Sequence, residues 1–430
     1  MGEAVSVLIK GGRVVDQHGE RIADIAIGAD GRILEVAESL DPVAARVLDA
    51  TGCVVAPGLV DLHTHLREPG REEAETVETG SRAAALGGFT AVIAMPNTDP
   101  AIDSAAVAAR VLELGKGALC EVFTAGAITV GRKGEQLAPM GEMADLGVRL
   151  FTDDGRGVQD ERLMRRALEY ASGLDATLAQ HCEVESLSRG GHMHEGAWSS
   201  RLGIPGIPAA AEELMVGRDL ALVELTGARM HFQHLSTAGS VELVRAAKAR
   251  GLPVTAEACP HHFTLTDAAV ASYDPVFKVN PPLRTEADVA AIKRGLADGT
   301  IDAIATDHAP HTQETKEAPF DEAPCGMVGL ETALALALTE LDLPLARVLA
   351  LLSWQPAVIA RISGAHGGPV AAGRPANLCV IDTEATWVVD ASRSASRSRN
   401  NPYQGRRLRG RVRHTIVWGE PVVIDGEAQR

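Results

Sequence analysis

Eight short, β-prone apolar runs alternate with Ala- and Leu-rich stretches between residues 59 and 310, and no other feature of the sequence limits the fold as much. The runs are "LVDLHTH", "FTAVIAMP", "CEVFTAGAI", "GVRLFTDD", "TLAQHCE", "RMHFQHLS", "PVTAEACP" and "DAIATDHAP". Intervening segments such as "AETVETGSRAAALGG" and "SVELVRAAKARG" carry helical periodicity. Eight parallel strands with helices between them close most economically into a (β/α)8 TIM barrel, an α/β fold whose reactive groups sit at the C-terminal strand ends.

The two ends of the chain have a different texture. Residues 4 to 50 read as short strands joined by Gly and Asp turns, and β patterning returns after about residue 365 in "ANLCVIDTEATWVV" and "RVRHTIVWGEPVVIDG". Each end alone has too few strands to bury a core, so the two are expected to pair into one small β-sandwich domain. The division this predicts is residues 1–57 and 366–430 for the sandwich and 58–365 for the barrel inserted in it.

A net charge of -16 argues against nucleic acid as a partner, because phosphate binding depends on lysines and arginines, and a small-molecule substrate is expected instead. The run "SRSASRSRNNPYQGRRLRGRVR" is basic but lacks interleaved aromatics, and reads as a solvated surface or a protein-partner patch. The opening "MGEAVSVLIKGGRVVD" lacks the core of a signal peptide, and no apolar run reaches membrane-spanning length, so no membrane association and a cytoplasmic location are expected. Six widely spaced cysteines without Cys-x-x-Cys suit reduced thiols.

The predicted strand ends collect metal-ligand chemistry. Strand one ends in His63 and His65, which alternation places on one side; strand four ends in Asp153 and Asp154, strand five in His181, strand six in His234 and strand eight in Asp307. Any one of these could be a hydrogen-bonded core residue, but their convergence on one barrel mouth points to a metal site. Imidazoles and carboxylates without a thiolate indicate zinc or a similar divalent ion. The number of donors suggests two Zn2+ ions bridged by a carboxylate and a hydroxide, and metal-assisted hydrolysis.

"DLHTHLREPG", "MPNT", "FTDDG", "HCE", "QHLS", "CPHHFTLTD", "KVNPPLR" and "ATDHAPHT" together resemble the bacterial long-chain (type I) dihydroorotases of the cyclic amidohydrolase superfamily, and the likeness extends to "NNPYQGRRLRGRV". The resemblance implies reversible cyclisation of N-carbamoyl-L-aspartate to L-dihydroorotate in pyrimidine synthesis. It places His63, His65 and Asp154 on one metal and Asp154, His181 and His234 on the other, with Asp307 beside them as a ligand and as the proton shuttle between hydroxide and leaving nitrogen. Many relatives bridge their metals with a carbamylated lysine, but "GVRLFTDDG" has none, so a carboxylate must bridge if anything from this strand does; the family pattern favours Asp154 over its neighbour Asp153. His65, Arg67, Asn97, Asn280 and His311 resemble substrate contacts, Arg67 being suited to pair a substrate carboxylate bidentately. Backbone groups of Cys325 and Gly326 are expected to complete the pocket.

Other features are read as structural. His192 and His194 in "GGHMHEG" lack partner ligands, and His261 and His262 support the mouth rather than ligate. The polar stretch "APHTQETKEAPFDEAPCG" is a candidate lid. The rival readings are an allantoinase or hydantoinase, opposed by Arg67 and the missing lysine, and an inactive scaffold for aspartate transcarbamoylase, opposed by the full ligand set. Docking to that transcarbamoylase is compatible with activity, and a homo-oligomer is the base expectation.

Overall fold

The computed structural model describes residues 5–40 and 44–430. Residues 1–4, at the start of the segment read as lacking a signal peptide, and 41–43, within the N-terminal part assigned to the sandwich, lie outside the described residues.

Both chain ends build one nine-stranded sheet. Val5–Asp16, Gly19–Gly28, Ile33–Ala37, Ala44–Asp49 and Val54–Pro57 come from the N-terminal part; Leu378–Val388, Arg407–Val417, Glu420–Ile424 and Glu427–Ala428 come from the C-terminal part. The join is antiparallel, with Pro57 opposite Leu378 and Val54 opposite Ile381. The first strand serves two parallel partners in turn, Ala44–Asp49 along Val5–Lys10 and then Val54–Val55 along Arg13–Val14. Gly11 sits at the changeover with φ +74°, where a side chain would also press on Thr51 Oγ1. Neither end closes a core alone, because the cluster that includes Ile9, Ile25, Ile27, Val55, Val380 and Ile416 draws on both.

The eight expected barrel strands all form: Leu59–Thr64, Phe89–Ala94, Glu121–Thr124, Leu150–Phe151, Thr177–Gln180, Met230–Phe232, Val254–Ala258 and Ala303–Ile304. Every ladder between neighbours is parallel. Two seams close the ring through single parallel bridges, Gly126 with Phe151 and Thr64 with His308. At the first seam only glycine fits, since a Cβ on Gly126 would lie 2.7 Å from the Phe151 ring. At the second, the buried Asp61 carboxylate accepts from the Thr306 amide (2.8 Å), the Thr306 hydroxyl (2.6 Å) and the Thr64 hydroxyl (2.5 Å), which ties strand one to strand eight just before their site residues.

The covering helices start where short polar side chains cap them. Thr76 accepts from Thr79 N–H before Val77–Leu86, Asp160 from Leu163 N–H before Glu161–Gly173, and Thr285 from Asp288 N–H before Glu286–Asp298. Such caps contribute roughly 0.5–2 kcal/mol each. All six cysteines are free, and among the described residues no helix is long and apolar enough to cross a membrane.

Candidate metal centre and substrate pocket

The C-terminal strand ends bring His63, His65, Asp154, His181, His234 and Asp307 into one buried cluster. His63 Nε2 lies 3.2 Å from Asp154 Oδ1 and 3.6 Å from Asp307 Oδ1; His65 Nε2 lies 3.0 Å from Asp307 Oδ1 and 3.7 Å from Asp154 Oδ2. His181 Nδ1 and His234 Nε2 each stand 3.7 Å from Asp154 Oδ1 and 3.0 Å from one another. Donor atoms of His63, His65 and Asp154 fall within 4.8 Å of one another, as do those of Asp154, His181 and His234, so Asp154 is common to both triads. Asp307 lies against the first triad without belonging to it.

Asp153 and Asp154 part company as strand alternation requires. Asp153 turns away and accepts from the amides of Ile128 (2.8 Å) and Thr129 (3.0 Å) and from the Thr129 hydroxyl. It anchors the loop after strand three, while Asp154 faces the imidazoles.

The donor set fits divalent ions on an observation independent of spacing. His63 Nε2, which faces Asp154, is buried without any hydrogen-bond partner, an arrangement that costs about 1–3 kcal/mol unless its lone pair meets a ligand. Without an ion the electrostatics are strained. Burial would raise the Asp154 and Asp307 carboxyls, but His63 and the neighbouring imidazoles hold both below the usual range; burial would lower His63, but Asp154 and Asp307 hold it well above the imidazole range. The backbone is strained as well, with φ +46° at Asp307 and +31° at His234, conformations that persist where the surroundings impose them.

Arg67, also at positive φ (60°), is buried beside this cluster. Its Nε donates to the Pro310 carbonyl (3.1 Å) and its Nη2 lies 3.3 Å from His311 Nε2, so among the described residues no carboxylate bonds it directly, although Asp307, Asp154 and Glu75 act on its charge from farther away. Burial pushes its pKa down to about 10, which leaves it cationic at neutral pH. A buried guanidinium with no direct carboxylate partner keeps hydrogen-bond donors open to an anion. Burial, with Arg67 nearby, pushes His311 down to about 2, so its neutral ring donates from Nε2 to the Cys325 carbonyl (2.8 Å).

The remaining predicted pocket residues are engaged by the protein itself. Asn97 Oδ1 accepts from His65 Nδ1 (2.8 Å), so it orients an imidazole. Asn280 Nδ2 donates to Glu183 Oε2 (2.6 Å), while its buried Oδ1 has no partner. The Gly326 amide donates to the Lys278 carbonyl (2.9 Å), and its own carbonyl accepts from Asn400 (3.1 Å). Gly326 has φ +146°, and a Cβ there would come within 2.8 Å of Ala309 and His311.

Sequence reading missed two carboxylates behind the cluster, Glu183 at 3.3 Å from His181 Nε2 and Glu257 at 3.0 Å from His63 Nδ1. The available signal was an acidic residue inside an apolar strand, "TAEAC". His194 is buried and receives a bond from Arg284 Nη1 (3.1 Å), a structural role. His261 and His262 are buried beside Cys259, with His262 donating to the Pro281 carbonyl (3.0 Å). A separate cavity of about 460 Å³ lined by Leu119, Phe123, Leu150 and Trp418 lies at the opposite ends of strands three and four.

The profile of a family described as Dihydro-orotase-like matches residues 52–240. The chain is similar to a protein named dihydroorotase from Pelotomaculum thermopropionicum, 51% identical across 98% of this chain and 99% of the relative. A dihydroorotase from Streptomyces coelicolor is also 51% identical over the same shares. Among solved structures, L-hydantoinase (dihydropyrimidinase) from Arthrobacter aurescens matches with TM-score 0.88 at 25% identity, covering 99% of this chain and 98% of that one.

Proposed function

The chain belongs to the dihydroorotase family, and from that premise we propose that it catalyses the reversible cyclisation of N-carbamoyl-L-aspartate to L-dihydroorotate with two zinc ions. The observation that carries this reading is the sharing of Asp154 between two imidazole-bearing triads at the barrel mouth, with the buried Arg67 guanidinium, which no carboxylate bonds, alongside. His63, His65 and Asp154 would hold one ion and Asp154, His181 and His234 the other, with Asp307 beside the first. Nitrogen and oxygen donors without thiolate suit zinc. Ions bound here would supply Lewis-acid polarisation of the substrate carbonyl and a water acidified to a pKa of about 7.

The chain's own groups do the rest. Arg67 pairs with the substrate carboxylate and sets its orientation, with Asn280 and His311 at the pocket wall. In the hydrolytic direction the Asp307 carboxylate takes the proton from the attacking water and returns it to the departing amide nitrogen, and ring closure reverses the transfer. Asn97 keeps the His65 ring turned so that Nε2 faces Asp307 and Asp154. We further propose that the protein acts as a homo-oligomer in the cytoplasm, that the barrel spans residues 58–365, and that docking to aspartate transcarbamoylase is compatible with its turnover.

The test is turnover of dihydroorotate by purified protein, with zinc quantified in the same sample and allantoin and hydantoin as competing substrates. Chelator-sensitive conversion of dihydroorotate is the expected result. Preference for hydantoin would move the chain to the hydantoinase reading, and a zinc-free, inactive protein would leave the scaffold reading.

A further inference from the structure

Glu257 lies on strand seven with no exposed surface and no lysine or arginine paired to it; its carboxylate is met by two imidazoles. Oε1 is 3.0 Å from His63 Nδ1, and Oε2 is 2.9 Å from His231 Nε2. His231, itself fully buried, places Nδ1 2.8 Å from the Thr255 hydroxyl. An ionised carboxylate only accepts, so both facing ring nitrogens must carry hydrogen. In the neutral ring, the form that can bind an ion, that assignment leaves the lone pair of His63 on Nε2, the atom 3.2 Å from Asp154 that has no hydrogen-bond partner.

We infer that Glu257 is a positioning residue acting through His63: it fixes the ring as the Nδ1–H tautomer, raises the donor strength of Nε2 and so sets the affinity of the His63, His65 and Asp154 position for a divalent ion. This rests on the metal reading of the site. The other imidazoles are supported differently. His65 Nδ1 meets the neutral amide of Asn97, His181 Nε2 meets Glu183, whose side chain is 20% exposed, and His234 Nδ1 meets nothing. Only His63 has a fully buried charge directly behind it. In a dry interior that charge is weakly screened, and it offsets part of the positive charge that an ion brings to the mouth. His231 and Thr255 extend the chain of hydrogen bonds along the barrel and hold the carboxylate in line with His63.

Zinc affinity measured by competition with a chromogenic chelator tests this, using wild-type protein and Glu257→Gln, which keeps the shape and removes the charge. Loss of a bonded carboxylate behind a metal-binding histidine typically weakens affinity about ten- to a hundredfold. That weakening is expected with the thermal midpoint little changed. Equal zinc affinity in a folded Glu257→Gln protein overturns the inference, because a purely structural carboxylate would change the midpoint and not the affinity. Wild-type protein that binds no zinc overturns the metal reading instead. If the variant does not fold, imidazole nitrogen NMR of zinc-loaded wild type decides: a protonated Nδ1 on His63 supports the inference, and its absence ends it.

Discussion

Asp16 in the terminal sheet and Asp154 at the barrel mouth are both buried, yet a guanidinium and two amides bond the first closely, whereas imidazoles and one longer amide contact surround the second. Asp16 accepts from two Arg21 guanidinium nitrogens (3.1 and 3.0 Å) and from the amides of Val370 and His18 (2.8 Å each). Asp154 faces imidazoles at 3.2 and 3.7 Å, one of which leaves its facing nitrogen without a hydrogen bond. The contrast extends beyond the pair. Among the described residues, the buried side-chain atoms lacking a partner lie around or just behind the mouth, apart from Arg229 Nε, and none belongs to the terminal sheet. A region built for stability satisfies its polar groups internally, whereas a region built for chemistry keeps donors in reserve for a ligand.

The largest expected effect breaks the mouth alone. Asp307→Asn should lower turnover about a hundred- to ten-thousandfold while zinc content stays at the wild-type level, checked by steady-state kinetics beside metal analysis. Near-normal turnover would remove Asp307 from proton transfer. Next, Arg67→Lys should raise KM for dihydroorotate about ten- to a hundredfold with a smaller change in kcat, since a charge-assisted bond contributes roughly 1.5–3 kcal/mol and lysine cannot reproduce the planar pair.

The two adjacent aspartates sharpen the comparison within one strand end. Asp153→Ala strands three donors and should cost about 1–3 kcal/mol in urea unfolding while zinc still binds. Asp154→Ala should lose zinc with little loss of stability. Reversed outcomes would exchange their assignments.

The smallest effect is expected in the sheet. Burial would raise the Asp16 carboxyl, but Arg21 and the two amides outweigh it and hold the pKa below 3.8. Its contribution is therefore complete above the unfolded value and lost as pH falls through the lower folded value. Asp16→Asn should reduce stability at pH 7 by about 1–2 kcal/mol, the difference from wild type shrinking below pH 3.8, with kcat unchanged. Denaturant melts at the two pH values check this.

Much of the architecture was legible. The eight apolar runs became the eight barrel strands, and the two β-textured ends met in one sheet, because period and turn chemistry are local properties of the chain. That Asn97, expected to contact substrate, also bonds His65 was not legible, since this partner lies 32 residues away and no local pattern encodes that distance. Glu257 went unread for the same reason, as its partners His63 and His231 come from strands one and six.

By itself the sequence determined which residue types end each strand, and hence that imidazoles and carboxylates would gather at one mouth. Only the closed barrel decided which of two neighbouring aspartates faces them, which nitrogen of His63 faces Asp154, and that Arg67 is buried with no carboxylate bonded to it. Those outcomes depend on pairings across the ring and on exclusion of water, and neither exists until distant segments pack together.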